Sequence, residues 1–365
     1  MHRVLWRILL GVLSCLALLP VGASTAADGP DATAQAAPKP LGRLVDIGGY
    51  RLHIHITGTG SPTVVLLSGM GDYSFVWSLV QPGVASFTRV CSYDRAGEAW
   101  SDLGPVPRTM RQEVYELHLL LERAALRPPF VLVGASYGGL LARLYTDQYP
   151  DEVVGIVLVD STHENTILSL GHMENGHFVA KLVRIRESSQ GRPIPPIQTM
   201  QTSPPKPPTQ EQVRGWEAFQ KQMGPPRIEP PFDRLPPAIQ QLELWARSHP
   251  KLAAESDSYM GEEFQALYEA RKKVEHPLGD RPLISLRAGT QDWTPDPKLL
   301  ATIGMTAEDW KKEAQAKSAD LASLSSNSRW YVAAKSGHHI HLEDPPLVIW
   351  AIRRVVEAAR HRSSL

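Results

Sequence analysis

The amino-acid sequence predicts a doubly wound α/β fold with a mostly parallel sheet and an inserted helical cap. Short aliphatic runs alternate with amphipathic helical patterns along most of the chain. Continuous apolar strands are typical of parallel sheets that helices cover on both faces, and strand–helix alternation indicates the doubly wound arrangement. A 121-residue segment, residues 161–281, interrupts this alternation and predicts the cap.

Composition excludes several classes of protein. The chain has 365 residues, 42% of them apolar, which suits one large domain with an insertion. Basic and acidic residues are balanced at 38 each, so a polyanion-binding surface is not indicated. Two cysteines are too few for a disulfide scaffold or a cysteine-based zinc site. We therefore expect no nucleic-acid partner and no cysteine-based zinc site, and the chemistry inferred below needs no metal or other cofactor.

The amino terminus has the layout of a secretory signal peptide. Basic residues precede an apolar run over residues 8–21, and small residues follow it. We predict a signal over residues 1–26, cleaved after Ala26, and a flexible linker over residues 27–40. The mature protein would then be exported, periplasmic or secreted, without stable membrane insertion. An uncleaved anchor is the alternative.

The predicted strands are short apolar runs. Buried strands are predicted at residues 63–67, 89–93, 130–133, 156–159 and 283–286, and helices at 111–125, 140–148, 307–323 and 345–359. Residues 51–57 alternate apolar and polar residues, which predicts a half-exposed edge strand with solvated His53 and His55. Cys91, alone after signal cleavage, is expected to be a packing residue.

The cap is predicted over residues 161–281, between two parts of the core at 41–160 and 282–365. Helical patterns around 210–223, 238–249 and 262–273 stand among turns that are rich in proline. Loops of this length without structure are rare in compact domains. Its aromatic residues are expected to form either the apolar roof of a pocket or a small core of the cap: Trp216, Phe219, Phe232, Trp245 and Tyr259.

One motif predicts a nucleophile. Ser136 is the central residue of G-x-S-x-G in the run Gly-Ala-Ser-Tyr-Gly-Gly over residues 134–139, between an aliphatic strand and an amphipathic helix. Such a turn holds the serine in a strained conformation with its hydroxyl above the sheet, at the positive end of a helix. The alternative is a glycine-rich turn with an inactive serine.

A serine nucleophile needs a base, and the base is sought after the last predicted strand. His338 follows Gly337 at the end of the strand candidate at 330–333, where it can reach back over the sheet. His339 and His341 are the competing residues, with structural roles as their alternative. No HExxH motif is present, so the histidines do not indicate a metal site.

A carboxylate must orient the imidazole, and two aspartates are suitably placed. Asp160 ends the strand predicted at 156–159, whereas Asp292 follows the strand predicted at 283–286. Their positions leave both open. The oxyanion donors must be backbone N–H groups: we predict Tyr137, the residue after the nucleophile, and Met70 in the loop after the strand at 63–67.

With these residues in place, the chain resembles the α/β-hydrolase superfamily from about residue 44 to the carboxyl terminus. Within it, the chain is similar to bacterial exported hydrolases with a Ser–His–acid triad and a helical cap. The resemblance rests on GGYRLHIHITGTGSPTVVLLSGMGD, YDRAGEAWSD, FVLVGASYGGLLARLY, VGIVLVDSTHE and SGHHIHLEDPP. It implies the α/β-hydrolase fold and these roles: nucleophile Ser136, base His338, and oxyanion donors Met70 and Tyr137.

The resemblance also bears on the acid and on the oxyanion loop. The VLVD-x-x-HE pattern favours Asp160 over Asp292. Ser68-Gly69 stands where the family usually has His-Gly, so the loop is expected to be supported differently.

The expected function is that of an exported serine hydrolase acting on carboxylic esters. Its partner would be a small-molecule ester or other acyl substrate, and the sequence does not indicate an oligomeric state. The alternatives are amide, peptide or lactone hydrolysis or perhydrolysis on the same triad, and a ligand-binding protein without turnover. An aminopeptidase would need acidic residues near the cap to hold an amine, for which Glu262 and Glu263 are candidates.

Overall fold

An eight-stranded sheet forms the centre of the molecule in the computed structural model, which describes residues 37–174, 177–201, 205–251, 258–290 and 294–365. Two further strands pair with each other outside it. The strands are β1 (Arg43–Asp46), β2 (Arg51–Thr57), β3 (Thr63–Leu67), β4 (Val90–Tyr93), β5 (Phe130–Ala135), β6 (Val153–Val159), β7 (Ile167–Glu174), β8 (His177–Arg184), β9 (Leu283–Ala288) and β10 (Ser328–Ala333).

Helices flank this sheet, and α4, α5 and α6 lie in the long segment between β6 and β9. They are α1 (Gln81–Ala85), α2 (Met110–Arg123), α3 (Tyr137–Gln148), α4 (Gln210–Met223), α5 (Pro237–Ser248), α6 (Met260–Arg271), α7 (Pro297–Ala301), α8 (Ala307–Ala322), α9 (Ile340–Glu343) and α10 (Pro345–His361). Short 3-10 helices lie at Ser74–Leu79, Pro150–Glu152, Ile185–Ser188 and Phe232–Arg234.

The sheet has the order β1-β2-β4-β3-β5-β6-β9-β10. Pairing is antiparallel between β1 and β2 and between β2 and β4, and parallel across the rest. The predicted mostly parallel, doubly wound α/β-hydrolase fold is therefore confirmed. Since the carboxyl ends of parallel strands share one edge, the loops after β3, β5, β6, β9 and β10 can meet there.

Two apolar layers bury the sheet. Phe130 and Leu132 of β5 join a core with α2 and α3, whereas Val131 and Val133 of the same strand join a core with α1 and α10. All four side chains are at most 1% exposed. Because successive side chains of a strand point to opposite faces, burial of both faces requires the continuous aliphatic runs that the sequence contains.

The prediction that residues 51–57 form the edge strand is wrong. Strand β1 pairs outside β2 and makes it an interior strand. His53 of β2 is accordingly fully buried rather than solvated, and its Nδ1 lies 2.9 Å from Asp94 Oδ2. A buried imidazole is tolerated because both of its nitrogens have hydrogen-bond partners: the Ser74 hydroxyl lies 3.3 Å from Nδ1, and the Gly42 N–H donates to Nε2. Cys91 is buried in β4, as expected for a packing residue.

The segment at residues 161–281 contains three long helices, α4, α5 and α6, at the predicted positions. It also contains the antiparallel pair β7–β8, which the proline-rich composition did not predict. Phe232 of this segment is 2% exposed and packs into the core that contains α10, and Trp245 lies 5.5 Å from the Trp100 ring. The domain limits themselves stay a prediction.

Two more of the predicted cap aromatics, Trp216 and Tyr259, have described side chains. The central carbon of the Arg192 guanidinium lies 4.4 Å from the centroid of the Tyr259 ring. Trp216 is half-buried on α4. The Phe219 side chain lies outside the described residues. Of the five cap aromatics, Phe232 and Trp245 thus pack onto the core.

The predicted signal at residues 1–26 lies outside the described residues, as do residues 27–36 of the predicted linker. Residues 37–40 are described and have no regular structure; there the Pro38 carbonyl accepts a hydrogen bond of 2.8 Å from Trp100 Nε1. In the described ranges, none of the helices has both the length and the apolar character that crossing a bilayer requires.

Candidate active site

Ser136 occupies a strained turn between β5 and α3. Its φ of 50° and ψ of −120° lie outside the regions that residues with a side chain usually adopt. The turn is tight because a Cβ on Gly134 would stand 2.4 Å from the Gly138 carbonyl oxygen, and one on Gly138 would stand 2.2 Å from the Leu67 carbonyl oxygen. Glycine is thus required at both positions, as the G-x-S-x-G pattern indicates.

Backbone hydrogen bonds hold this turn in place. The Ser136 N–H donates to the Val159 carbonyl at 3.1 Å, and the Ser136 carbonyl accepts from Gly139 and Thr162 N–H groups at 3.0 Å each. The Ser136 hydroxyl lies 3.4 Å from the Thr162 hydroxyl. The loop after β6 therefore supports the serine from the side, a role for Thr162 that the sequence did not suggest.

His338 and Asp160 form a direct pair at the same edge of the sheet. His338 Nδ1 lies 2.6 Å from Asp160 Oδ2, and the Ala288 N–H donates to Asp160 Oδ1 at 2.9 Å. Both side chains are partly accessible, at 24% for His338 and 19% for Asp160. The carboxylate is thus fixed at both oxygens and orients the ring, with Nε2 on the side of the imidazole opposite to it.

The surroundings of His338 favour its protonated form. Burial lowers the pKa of His338, but the hydrogen bond and the negative charge of Asp160 outweigh this effect and raise it above the ordinary value of 6.5. The charges of Asp72 and Glu343 act in the same direction. This is the electrostatic setting that stabilises an imidazolium after it accepts a proton.

No hydrogen bond joins Ser136 and His338, both of which belong to the described ranges. Catalytic hydrogen bonds are often long in structures without substrate and shorten in the complex. Asp292, the other candidate acid, lies outside the described residues. The structure thus brings Asp160 to His338 and places Ser136 at the end of the neighbouring strand β5.

The loop after β3 lies against the nucleophile. A Cβ on Gly69 would stand 3.4 Å from Ser136 Cβ. The Arg95 guanidinium donates to the carbonyls of Ser68 at 2.8 Å and Gly69 at 2.6 Å. The Gly69–Met70 peptide is trans, so its N–H points opposite to its carbonyl and away from Arg95. Arg95 therefore fixes the direction of the Met70 N–H.

Ser68 replaces the usual histidine and supports the loop in its own way. Its hydroxyl donates to the Tyr73 carbonyl at 3.1 Å and accepts from Trp77 Nε1 at 3.1 Å. Met70 is half-buried against the core. Tyr137 is the first residue of α3, where backbone N–H groups have no partner within the helix. The two predicted donors thus lie in the loop next to Ser136 and at the start of α3, and their role as an oxyanion hole stays a prediction.

Arg95 itself is buried among carboxylates. It is 5% exposed, and its guanidinium lies 2.7 Å from Glu98 Oε1 and 3.9 Å from Glu113 Oε2. Burial raises the pKa of Glu98 to about 7 although Arg95 opposes the shift. The Tyr137 hydroxyl donates to Glu113 at 3.2 Å. Sequence reasoning missed Arg95, although it stands in the YDRAGEAWSD stretch.

The two competing histidines are held as neutral rings. Burial lowers the pKa of both His339 and His341 to about 3, with a further contribution from neighbouring histidines. His341 is 1% exposed and packs 4.7 Å from the Trp77 ring. His339 Nε2 lies 3.8 Å from Asp72 Oδ2. Neither ring contacts Asp160 as His338 does.

One cluster, which includes two residues of the loop after β6, has the composition of a metal site. His163, Glu164 and Asp320 each offer a ligand atom within 4.8 Å of the others. Arg143 already pairs with Glu164 at 2.7 Å and Arg271 with Asp320 at 2.8 Å. Since cationic side chains occupy these carboxylates, the cluster is an ion-pair network that fixes the start of the cap.

Known proteins are similar to this chain in sequence and in fold. Residues 64–351 match the model of the Alpha/beta hydrolase family. An AB hydrolase superfamily protein from Gibberella zeae is 25% identical over 315 residues, 82% of this chain and 87% of the relative. The Probable transporter efuK of Hormonema carpetanum is 33% identical over 131 residues, 34% of this chain but only 19% of the relative.

Solved structures share the architecture at lower identity. The enol-lactonase from Burkholderia xenovorans has a TM-score of 0.53 and 15% identity, covering 86% of this chain and all of that one. At this identity the likeness concerns the fold alone.

Proposed function

Since this chain belongs to the alpha/beta hydrolase family, we propose that it is an exported serine hydrolase that cleaves carboxylic esters through an acyl-enzyme on Ser136. The observation that supports this most is the His338–Asp160 contact of 2.6 Å beside a serine held at φ 50°. A strained serine turn and an oriented imidazole at one sheet edge are the parts that acyl transfer requires.

Acylation begins with proton transfer from the nucleophile. His338 Nε2 accepts the Ser136 hydroxyl proton as the serine oxygen attacks the ester carbonyl. The Nδ1–H keeps its bond to Asp160, whose negative charge stabilises the imidazolium that forms. The raised pKa of His338 agrees with this role.

The oxyanion then rests on two backbone amides. We assign the N–H groups of Met70 and Tyr137 to this task, because both flank the nucleophile and one is the start of a helix. Each such donor contributes ~3–4 kcal/mol to lowering the barrier. Arg95 acts as a positioning residue, since it holds the carbonyl of the Gly69–Met70 peptide.

The attack produces a tetrahedral intermediate. When it collapses, the bond to the alcohol oxygen breaks, and the leaving alcohol takes the proton from His338 Nε2. Water then repeats the sequence: it loses a proton to His338 and attacks the acyl-enzyme, and Ser136 recovers its proton as the acid leaves. Every step uses side chains and amides of this chain.

The cap glutamates argue against an aminopeptidase. Glu262 pairs with Arg192 at 2.8 Å, and the Glu263 carboxylate accepts the Arg111 N–H at 3.3 Å at the start of α2. Both carboxylates therefore serve structural contacts instead of holding a substrate amine. This favours an ester over an amino-terminal peptide as substrate.

Export is proposed on the layout of residues 1–26, a basic start followed by a short apolar run and small residues.

The test compares Ser136→Ala with wild type on a short p-nitrophenyl ester. The variant is expected to lose hydrolysis while circular dichroism and thermal unfolding stay unchanged. Ser86→Ala, at an exposed serine after α1, is the control and should retain full activity. Hydrolysis by Ser136→Ala at the wild-type rate would contradict the proposal.

A further inference from the structure

The last strand of the central sheet leaves an apolar edge open. Strand β10 pairs with β9 on one side, and within the described ranges no strand pairs with its other side. Its central residues Trp330, Tyr331 and Val332 are 37–46% exposed. Trp350 of α10 is also exposed and meets the Tyr331 ring edge-on at 5.1 Å. These residues, the β10 edge, are four of the seven exposed large apolar side chains in the described ranges.

The backbone of this strand has hydrogen-bonding groups on its outer side. The Ala333 carbonyl accepts from the Gly289 N–H at 3.1 Å, so Ala333 directs its backbone groups toward β9. Because the residues of a strand alternate, Tyr331 does the same, whereas Trp330 and Val332 direct their N–H and C=O groups outward. An occupant that matches this edge therefore offers backbone donors and acceptors at the same spacing, as a further strand does.

The two edges of the sheet differ in their protection. Natural edge strands carry charges, prolines or bulges that discourage pairing with another chain. Strand β1, at the opposite edge, has Arg43 and Asp46 at its two ends. Residues 330–332 contain no charge and no proline, and the register of β10 with β9 runs without a bulge. The β10 edge thus has the features of a strand that pairs with a further strand.

The strand is complementary to a second copy of itself. In an antiparallel pair centred on Tyr331, Trp330 of each copy lies opposite Val332 of the other, and the two residues exchange their outward hydrogen bonds. They also form an aromatic–β-branched pair on one face of the sheet. On the other face the two Tyr331 rings meet beside Trp350. This register pairs every exposed apolar residue of the strand with another one.

The charges around the edge permit this pairing. In the same register Arg329 lies opposite Ala333, so like charges do not face each other along the strand. One turn along α10 from Trp350, Arg354 and Glu357 carry opposite charges and lie 4.0 Å apart. The chain as a whole has a formal net charge of zero. Two copies therefore approach without repulsion, whereas attraction to an anionic membrane requires a cluster of basic residues.

We propose that β10 pairs with the β10 of a second copy, antiparallel and about a twofold axis at Tyr331, so that the chain is a homodimer with one sheet continued across the interface. A twofold interface uses the same patch on both copies, which a self-complementary strand provides. The inference is independent of the proposed function, because the β10 edge includes neither the His338–Asp160 pair nor the turn at Ser136.

The test measures the sedimentation velocity of the protein over a range of micromolar concentrations. Wild type is expected to sediment as a dimer. Tyr331→Lys and Tyr331→Glu each set like charges opposite each other at the axis, and each is expected to raise the dissociation constant of the dimer by at least ~100-fold. An equimolar mixture of the two variants sets lysine opposite glutamate and is expected to recover the dimer.

Val274→Lys, at an exposed apolar position outside the β10 edge, is the control and should stay dimeric. A monomeric wild type overturns the proposal, whether or not it binds vesicles of anionic lipid. A dimer that persists in both Tyr331 variants overturns it as well, as does a mixture that stays monomeric. A register shifted by two residues sets position 331 opposite Arg329, so dimerisation of Tyr331→Glu alone overturns the axis at Tyr331.

Hydrogen exchange of the wild type provides a measurement without substitution. In the dimer the amides of Trp330 and Val332 are hydrogen-bonded, so the peptide over residues 328–334 should exchange slowly. Rapid exchange of these two amides in a wild-type dimer places the contact elsewhere and overturns the proposal, even where the variants do not fold.

Discussion

Replacement of Asp160 by asparagine is the sharpest perturbation of the proposed mechanism. Asp160 accepts from the Ala288 N–H through Oδ1 and contacts His338 Nδ1 through Oδ2. Asparagine has the same shape but only one acceptor oxygen. If this oxygen keeps the Ala288 contact, the amide NH₂ faces His338 and forces the tautomer with the proton on Nε2, which cannot accept the serine proton.

The opposite amide orientation is also unfavourable. It restores the contact to the imidazole, but the amide NH₂ of the variant then faces the Ala288 N–H. Because both groups are donors, neither is satisfied there, which costs about 1–3 kcal/mol. Loss of the negative charge further destabilises the imidazolium. Together these effects are expected to lower kcat by on the order of 10⁴-fold, the magnitude known for this change in a Ser–His–Asp triad.

The assay is steady-state hydrolysis of a p-nitrophenyl ester by Asp160→Asn and Asp292→Asn side by side. Thermal unfolding of both variants serves as the check on folding. The mechanism predicts a large loss of kcat for the first variant and a small change for the second. Wild-type turnover by Asp160→Asn, or an equal loss in Asp292→Asn, would refute the assignment of the acid.

Three more predictions follow. In Arg95→Lys, the ammonium group lacks the planar guanidinium that donates to two carbonyls at once. Steady-state kinetics should therefore show kcat lowered by ~10²-fold with a smaller change in KM. An unchanged kcat would refute the role of Arg95 in positioning the oxyanion loop. His338 must be neutral to accept a proton, so kcat/KM should rise with pH. Because Asp160 raises the pKa of His338, the half-maximum of kcat/KM is expected above pH 6.5. A half-maximum below pH 6.5 would be inconsistent with the His338–Asp160 pair. Gly138→Ala places a Cβ 2.2 Å from the Leu67 carbonyl oxygen, so the free energy of unfolding, measured with denaturant, should fall by more than ~1 kcal/mol. An unchanged free energy of unfolding would mean that the turn is looser than the structure shows.

Local sequence patterns predicted the parts of the molecule that local rules determine. The strand before Ser136 and the helix after it follow from an aliphatic run, spaced glycines and an amphipathic pattern, and all three effects act within a few residues. The helices of the cap followed from similar periodicity despite the many prolines.

Contacts between distant parts of the chain were less predictable. His53 was expected to be solvated because alternation in β2 resembles an edge strand, and only the pairing with β1 shows that it is buried. Arg95 reaches carbonyls 26 and 27 residues away, and no pattern within its own segment indicates that contact. The choice of Asp160 likewise depends on a contact with a residue 178 positions later.

Covalent labelling of the nucleophile tests the central claim most directly. The mature protein would be treated with a fluorophosphonate, digested, and analysed by mass spectrometry for the modified peptide. The proposed mechanism predicts one phosphonylated residue, Ser136, and no labelling after Ser136→Ala or after prior denaturation. A folded protein that stays unmodified, or that carries the label on another serine, would contradict it.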